Sequence, residues 1–239
     1  ICLDELPTDV NKLIRFTCCG KQCCLGCQKN VKKSKLPDNL KNRCHQCRKP
    51  SPKNDKEQIE RLREWLDKGE AWAQYTMGQW YREGEFGLKQ SYVMAAMLFR
   101  KAVAQGDPVA MCALGLLYDT GRGVDQSFKK AAELFTMAAE QGHITGIYNL
   151  GCMYRDGKGV RQSSKKAIEN FTMAAEQGHV DAMYNLAIAY RDGQGVVQSF
   201  KKALELYTMA AEQGQVQAMV NVGVMYIQGL GVAQSNELA

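Results

Sequence analysis

Apolar residues recur at helical spacing from about position 71 onward. Ala110, Leu114 and Tyr118 stand at i, i+4 and i+8, one continuous stripe. After a short glycine-containing loop, GRGV at Gly121–Val124, a second stripe follows in Ala131, Leu134, Phe135 and Ala138. This pair of stripes predicts a helix hairpin, and the hairpin returns. SFKKAAELFTMAAEQG (Ser127–Gly142) comes back as SSKKAIENFTMAAEQG (Ser163–Gly178) and as SFKKALELYTMAAEQG (Ser199–Gly214), each shifted by 36 residues. A looser copy, SYVMAAMLFRKAVAQG, precedes them at Ser91–Gly106. A fixed period of this length marks stacked supersecondary units, so the pattern predicts a mostly α fold, an α-solenoid of helix-turn-helix repeats.

The ends of these helices are also written in the sequence. Ser91, Ser127, Ser163, Ser199 and Ser235 fall at the start of each second helix, where a serine N-cap is worth about 1 kcal/mol over alanine. The first glycine of GRGV, GKGV and GQGV suits the left-handed residue that ends a helix. Val124, Val160 and Val196 are expected to tuck back into the core, and Gly115 to admit a close helix partner. The first unit has one extra loop residue, GEFG. The last stops four residues past Ser235, which predicts an uncovered apolar face and reads as a fragment. Upstream, KPSPKND at 49–55 marks a boundary, and Lys56–Glu70 places Ile59, Leu62, Trp65 and Leu66 on one face of a closing helix. The organisation is therefore a cysteine-rich module over 1–52, a linker and capping helix over 53–70, and about four and a half repeats over 71–239.

Composition fits a folded chain: 45% of residues are apolar and 23% charged, with few prolines. No apolar run approaches the roughly eighteen residues that span a bilayer, so no membrane partner is expected. Eight of the ten cysteines lie between Cys2 and Cys47. Two pairs, Cys24-Leu-Gly-Cys27 and Cys44-His-Gln-Cys47, have the spacing that points two sulfurs at one cation. Disulfides are the alternative, but small disulfide-rich modules are secreted and nothing in the repeats looks extracellular. Zinc is the better reading, with Cys23 a spare buried residue and His45 a loop side chain. Reduced thiolates then imply a cytoplasmic or nuclear protein.

The order of these sulfurs resembles a RING-type cross-brace. That resemblance implies two zinc ions, one held by Cys2, Cys24 and Cys27, the other by Cys18 or Cys19 with Cys44 and Cys47. The partner of Cys2 would precede Ile1, so one site is incomplete in this chain, and the true N-terminus is expected upstream. Lys21 stands where most RING modules carry histidine, which leaves the adjacent Cys18-Cys19 pair to supply the ligand. The resemblance also places Ile1 and Arg48 where RING modules touch a ubiquitin-conjugating enzyme, although His45 replaces the usual proline. A ligase of this kind recruits a charged enzyme and has no catalytic residue of its own.

The repeats resemble Sel-1-like repeats, relatives of the tetratricopeptide helix pair. The first-helix copies are AQYTMGQWYREG from Ala73, AMCALGLLYDTG from Ala110, GIYNLGCMYRDG from Gly146, AMYNLAIAYRDG from Ala182 and AMVNVGVMYIQG from Ala218. Such solenoids commonly hold a peptide along their inner face, with asparagine bonding its backbone. Asn149, Asn185 and Asn221 recur at one position, with Tyr148 and Tyr184 alongside. Either these asparagines meet a peptide or they bond a neighbouring loop carbonyl. His143 and His179 track the repeat and so read as structural; Cys112 and Cys152 read as core residues.

Together these features predict a zinc-binding interaction scaffold: the repeats bind a protein client and the RING-like module recruits a partner, in one version as a ubiquitin ligase. The alternative is a nucleic-acid-binding zinc protein. Residues 1–53 do hold 12 Lys/Arg against 4 Asp/Glu, but the remainder holds 19 against 21. Thiolate zinc sites absorb part of the surplus, and no aromatic residue lies between Cys19 and Cys47 to stack on a base. Nucleic acid is the weaker reading.

Overall fold

The computed structural model describes residues 52–232 and two short strands upstream, β1 (Leu13–Arg15) and β2 (Gln22–Cys24). Contacts divide the chain into two units, 1–102 and 103–239. The described residues hold ten α-helices.

In the first unit β1 and β2 pair antiparallel, with Leu13 opposite Cys24, Ile14 opposite Cys23 and Arg15 opposite Gln22. Helix α1 (Asp55–Asp67) starts at Asn54, whose side chain accepts the Glu57 N–H at 2.9 Å, while the Glu57 carboxylate accepts the Lys53 N–H at 2.8 Å. This reciprocal cap fixes the helix start. Its expected face is the one that packs: Leu62 is fully buried, and Ile59, Trp65 and Leu66 pack with Ala73, Met77, Trp80 and Leu98. Helices α2 (Ala71–Glu83) and α3 (Tyr92–Val103) form the first hairpin. The extra loop residue is accommodated at Phe86, which takes a left-handed φ of 55° and packs tilted against Trp80 with ring centroids 4.3 Å apart.

The second unit alternates first helices α4 (Pro108–Thr120), α6 (Ile144–Asp156), α8 (Val180–Asp192) and α10 (Val216–Ile227) with second helices α5 (Phe128–Glu140), α7 (Ser164–Glu176) and α9 (Phe200–Glu212). Its core is the pair of stripes read from the sequence: Ala110, Leu114, Ala131, Leu134, Phe135 and Ala138 are all buried. Gly115 is where the two helices touch. A Cβ there would lie 2.7 Å from the Phe135 ring, and one at Gly151 would lie 2.8 Å from Phe171. A mid-helix glycine costs about 1 kcal/mol against alanine, and here it admits a fully buried aromatic ring.

Ser127, Ser163 and Ser199 cap the second helices, each accepting the N–H three residues on, as Ser91 does in the first unit. Ser235 lies outside the described residues. Each serine N–H also donates to the carbonyl of Tyr81, Tyr118, Tyr154 or Tyr190 at 2.8–2.9 Å, which closes the hairpin loop. The residue before the serine does more than the sequence suggested. The amide N–H of Gln90, Gln126, Gln162 and Gln198 caps the carbonyl of Arg82, Asp119, Arg155 and Arg191. The expectation for Val124, Val160 and Val196 needs correcting. All three are only half-buried, outside the buried core.

Candidate functional site

The first helices carry the recurring polar residues. Asn185 of α8 donates its side-chain N–H to the Tyr148 hydroxyl of α6 at 3.2 Å, and Asn221 of α10 donates to Tyr184 of α8 at 3.4 Å. Asn185 also accepts from the Arg155 guanidinium at 3.1 Å. Each asparagine is thus tied to the tyrosine of the preceding repeat, neither to a loop carbonyl nor exclusively to solvent. The bonds join α6, α8 and α10 into one polar strip. Arg155 and Arg191 border it, each paired with the following aspartate at 2.7 Å while its side chain stays 44% and 37% exposed.

Asn149 breaks the series. Its amide nitrogen is buried and has no hydrogen-bond partner. The tyrosine it would meet, 37 residues earlier, is replaced by Cys112. That thiol instead lies 3.2 Å from His143 Nδ1.

The histidines are helix caps. His143 Nδ1 accepts the Gly146 N–H and His179 Nδ1 the Ala182 N–H, both at 3.3 Å. Asp107 and Gln215 do the same work for α4 and α10 with side-chain oxygens. Sequence reasoning placed both histidines as structural but missed this role, although cap-competent residues at 107, 143, 179 and 215 kept the 36-residue step. His179 also stacks on Tyr148, centroids 4.3 Å apart and planes 18° from parallel. Burial holds its imidazole below the usual range, against the opposing pull of Asp181.

Titration of the remaining groups follows burial as well. The Cys112 thiol is pushed up to about 12 by desolvation, with a smaller contribution from Asp107. Cys152 is only half-buried, less enclosed than a core residue, and its thiol is also raised by desolvation. Burial raises the Tyr148 phenol, and that of Tyr207 to about 12. These groups stay neutral at physiological pH and serve packing and hydrogen bonding.

The proposed zinc ligands Cys2, Cys18, Cys19, Cys27, Cys44 and Cys47, and the partner-contact positions Ile1 and Arg48, lie outside the described residues. Cys24 is placed only through its backbone, at the end of β2. Among the described residues no cluster of His, Cys, Asp and Glu could hold a metal ion. No described helix is long and apolar enough to cross a membrane.

A protein-family model described as Sel1 repeat matches residues 73–107, 108–143, 145–179, 180–215 and 216–239. Among solved structures, the chain is similar to a protective antigen present in uropathogenic Escherichia coli strains that displays an SLR fold. The two are 31% identical with a TM-score of 0.73, over 78% of this chain and 40% of that one. The chain thus spans two-fifths of that antigen's length. It is also similar to a Sel1 repeat protein from Oxalobacter formigenes, at 27% identity and TM-score 0.67, over 75% of this chain and 73% of that one. No curated protein sequence matches the chain.

Proposed function

Because the chain belongs to the Sel1-repeat family, we propose that it works as an interaction adaptor, its repeats holding a protein client while the cysteine-rich module recruits a second partner. The observation that carries this reading is the polar strip along α6, α8 and α10. The Tyr148–Asn185 and Tyr184–Asn221 bonds fix its side chains in place, so a client meets groups that have already lost their rotamer freedom. The strip presents amide, hydroxyl and guanidinium groups in 36-residue steps, chemistry suited to the carbonyls and carboxylates of an extended peptide. Asn185 and Asn221 act in it as positioning residues as much as contacts.

The recruiting half rests on cysteine spacing. Thiolates in C-x2-C pairs suit tetrahedral zinc. Cys2, Cys24 and Cys27 would hold one ion, and Cys18 or Cys19 with Cys44 and Cys47 the other. Cys24 ends β2, and Cys18 and Cys19 lie between β1 and β2 in the sequence, so a short stretch of chain would supply donors to both ions. In this reading Ile1 and Arg48 meet a ubiquitin-conjugating enzyme, and the protein supplies position rather than a nucleophile.

The test is zinc content by native mass spectrometry of the intact protein, followed by autoubiquitination across a panel of conjugating enzymes. Bound zinc with activity that falls in Arg48→Ala supports the ligase form. Bound zinc with silence across the panel leaves an adaptor without ligase activity, and absence of zinc removes the recruiting half.

A further inference from the structure

The second helices repeat their exposed faces as faithfully as their buried ones. Met137, Met173 and Met209 hold one position on α5, α7 and α9 and are 42%, 50% and 47% exposed. Four residues before each methionine stands Glu133, Glu169 or Glu205, and three residues after it Glu140, Glu176 or Glu212, all exposed. Residues at i−4 and i+3 share a helix face with i, so every second helix carries a Glu–Met–Glu column. Side by side and in register, the columns make a row of methionines between two rows of glutamates. None of the six carboxylates has an ion-pair partner among the described residues.

Between α7 and α9 the row opens into a cleft of about 320 Å³. Met183 and Leu186 of α8 form its buried floor, Leu206 and Met209 one wall, and Glu176 and Glu205 line it together with one cation, Lys202, which lies over the Tyr190 ring. Leu206 stands where α7 has Asn170, which makes this cleft the more apolar of the two such positions.

We propose that this face binds a basic amphipathic helix of another protein, laid across α5, α7 and α9. Methionine side chains adapt to varied apolar surfaces, and free carboxylates on both flanks select lysine or arginine. The partner's apolar residues would lie on the methionine row, one large side chain would enter the α7/α9 cleft, and its cations would pair with the glutamates. The second helices pack on the first helices between them rather than on one another. Crossing three therefore takes more than two packed-helix spacings of about 10 Å each, and the partner needs more than roughly 14 helical residues. Lys129, Lys165 and Lys201 sit one turn before Glu133, Glu169 and Glu205 and partly offset that row. The Glu140, Glu176 and Glu212 row has no such neighbour and is the stronger anchor. This face belongs to the second helices, so it is a partner site separate from the strip on the first helices.

The test uses the intact chain and two synthetic 18-residue helical peptides. One carries leucines on one face and lysines on both flanks; the other has every lysine replaced by glutamate. Fluorescence anisotropy should show the basic peptide binding, with affinity falling about tenfold in the Glu140→Lys/Glu176→Lys/Glu212→Lys protein and falling again at raised salt. Met209→Ser should weaken it at every salt concentration, with unchanged helicity by circular dichroism, and serves if the charge-reversed protein does not fold. Arg191→Glu should leave it intact, which keeps the result distinct from client binding on the other face. Equal affinity for both peptides, or binding unmoved by both the charge reversal and Met209→Ser, would overturn the proposal.

Discussion

The Asn185 side-chain N–H reaches across a repeat boundary to the Tyr148 hydroxyl, 3.2 Å away, and the same bond recurs one repeat later between Asn221 and Tyr184. These recurring residues therefore bind the array to itself. A half-buried hydroxyl and amide that satisfy each other avoid the cost of an orphaned polar group, and they hold the strip's geometry before any client arrives.

This gives the three asparagines different roles in stability. Asn185→Ala removes the bond to Tyr148 and strands one Arg155 contact, so it should lower stability by about 1–2 kcal/mol. Asn149→Ala removes an amide nitrogen that is buried without a partner, and should be close to neutral. Urea denaturation of the two variants side by side checks the contrast; equal losses would contradict it.

Cys112 occupies the place of a tyrosine in the ladder. Cys112→Tyr should put a ring over His143, as Tyr148 lies over His179, and a hydroxyl in reach of Asn149. The gain should be about 0.5–1.5 kcal/mol, read as a higher melting temperature. A drop in melting temperature would mean that the repeat has closed around the smaller thiol.

Two helical glycines should respond in opposite directions to the same change. Gly115→Ala forces a Cβ against the Phe135 ring and should cost about 1–3 kcal/mol. At Gly223 nothing lies within 4 Å of a new Cβ, so Gly223→Ala should stabilise α10 by about 0.5–1 kcal/mol through helix propensity alone. Thermal melts by circular dichroism separate the two.

His179 sets a pH dependence. Its folded-state pKa is depressed by burial, so the unfolded chain binds the proton more readily. Its contribution is present above the ordinary imidazole range and is lost as pH falls through that range toward the folded value. Melting temperature should therefore decline between about pH 7 and pH 5, and His179→Asn, which keeps a cap without titrating, should flatten that decline. An unchanged slope in the variant would place the effect elsewhere.

Much of the fold was legible because each repeat states its rules again. Ser127, Ser163 and Ser199 announced their caps, and Gly115 announced a close helix approach, though not that the Phe135 ring would fill it. What escaped was of two kinds. Gln126 and its counterparts kept the same 36-residue step, so the signal was present, but glutamine is not a usual C-terminal cap and its reach back to a carbonyl depends on the loop's path. The Tyr148–Asn185 bond spans 37 residues, one more than the period. It follows from how neighbouring repeats lean together, and no spacing within one repeat contains that. The half-buried Val124, Val160 and Val196 show the converse, a hydrophobic residue after a turn that does not enter the buried core.

A photo-crosslinking residue at position 191 of the intact protein reports most directly whether a client lies along the first helices. The polypeptide it captures is identified, purified and titrated against the wild type and Arg191→Glu by calorimetry. The adaptor function requires a crosslink at 191 and affinity about tenfold weaker in Arg191→Glu, with the melting curve unchanged. Equal affinity for the two proteins, with the crosslink absent, would contradict it.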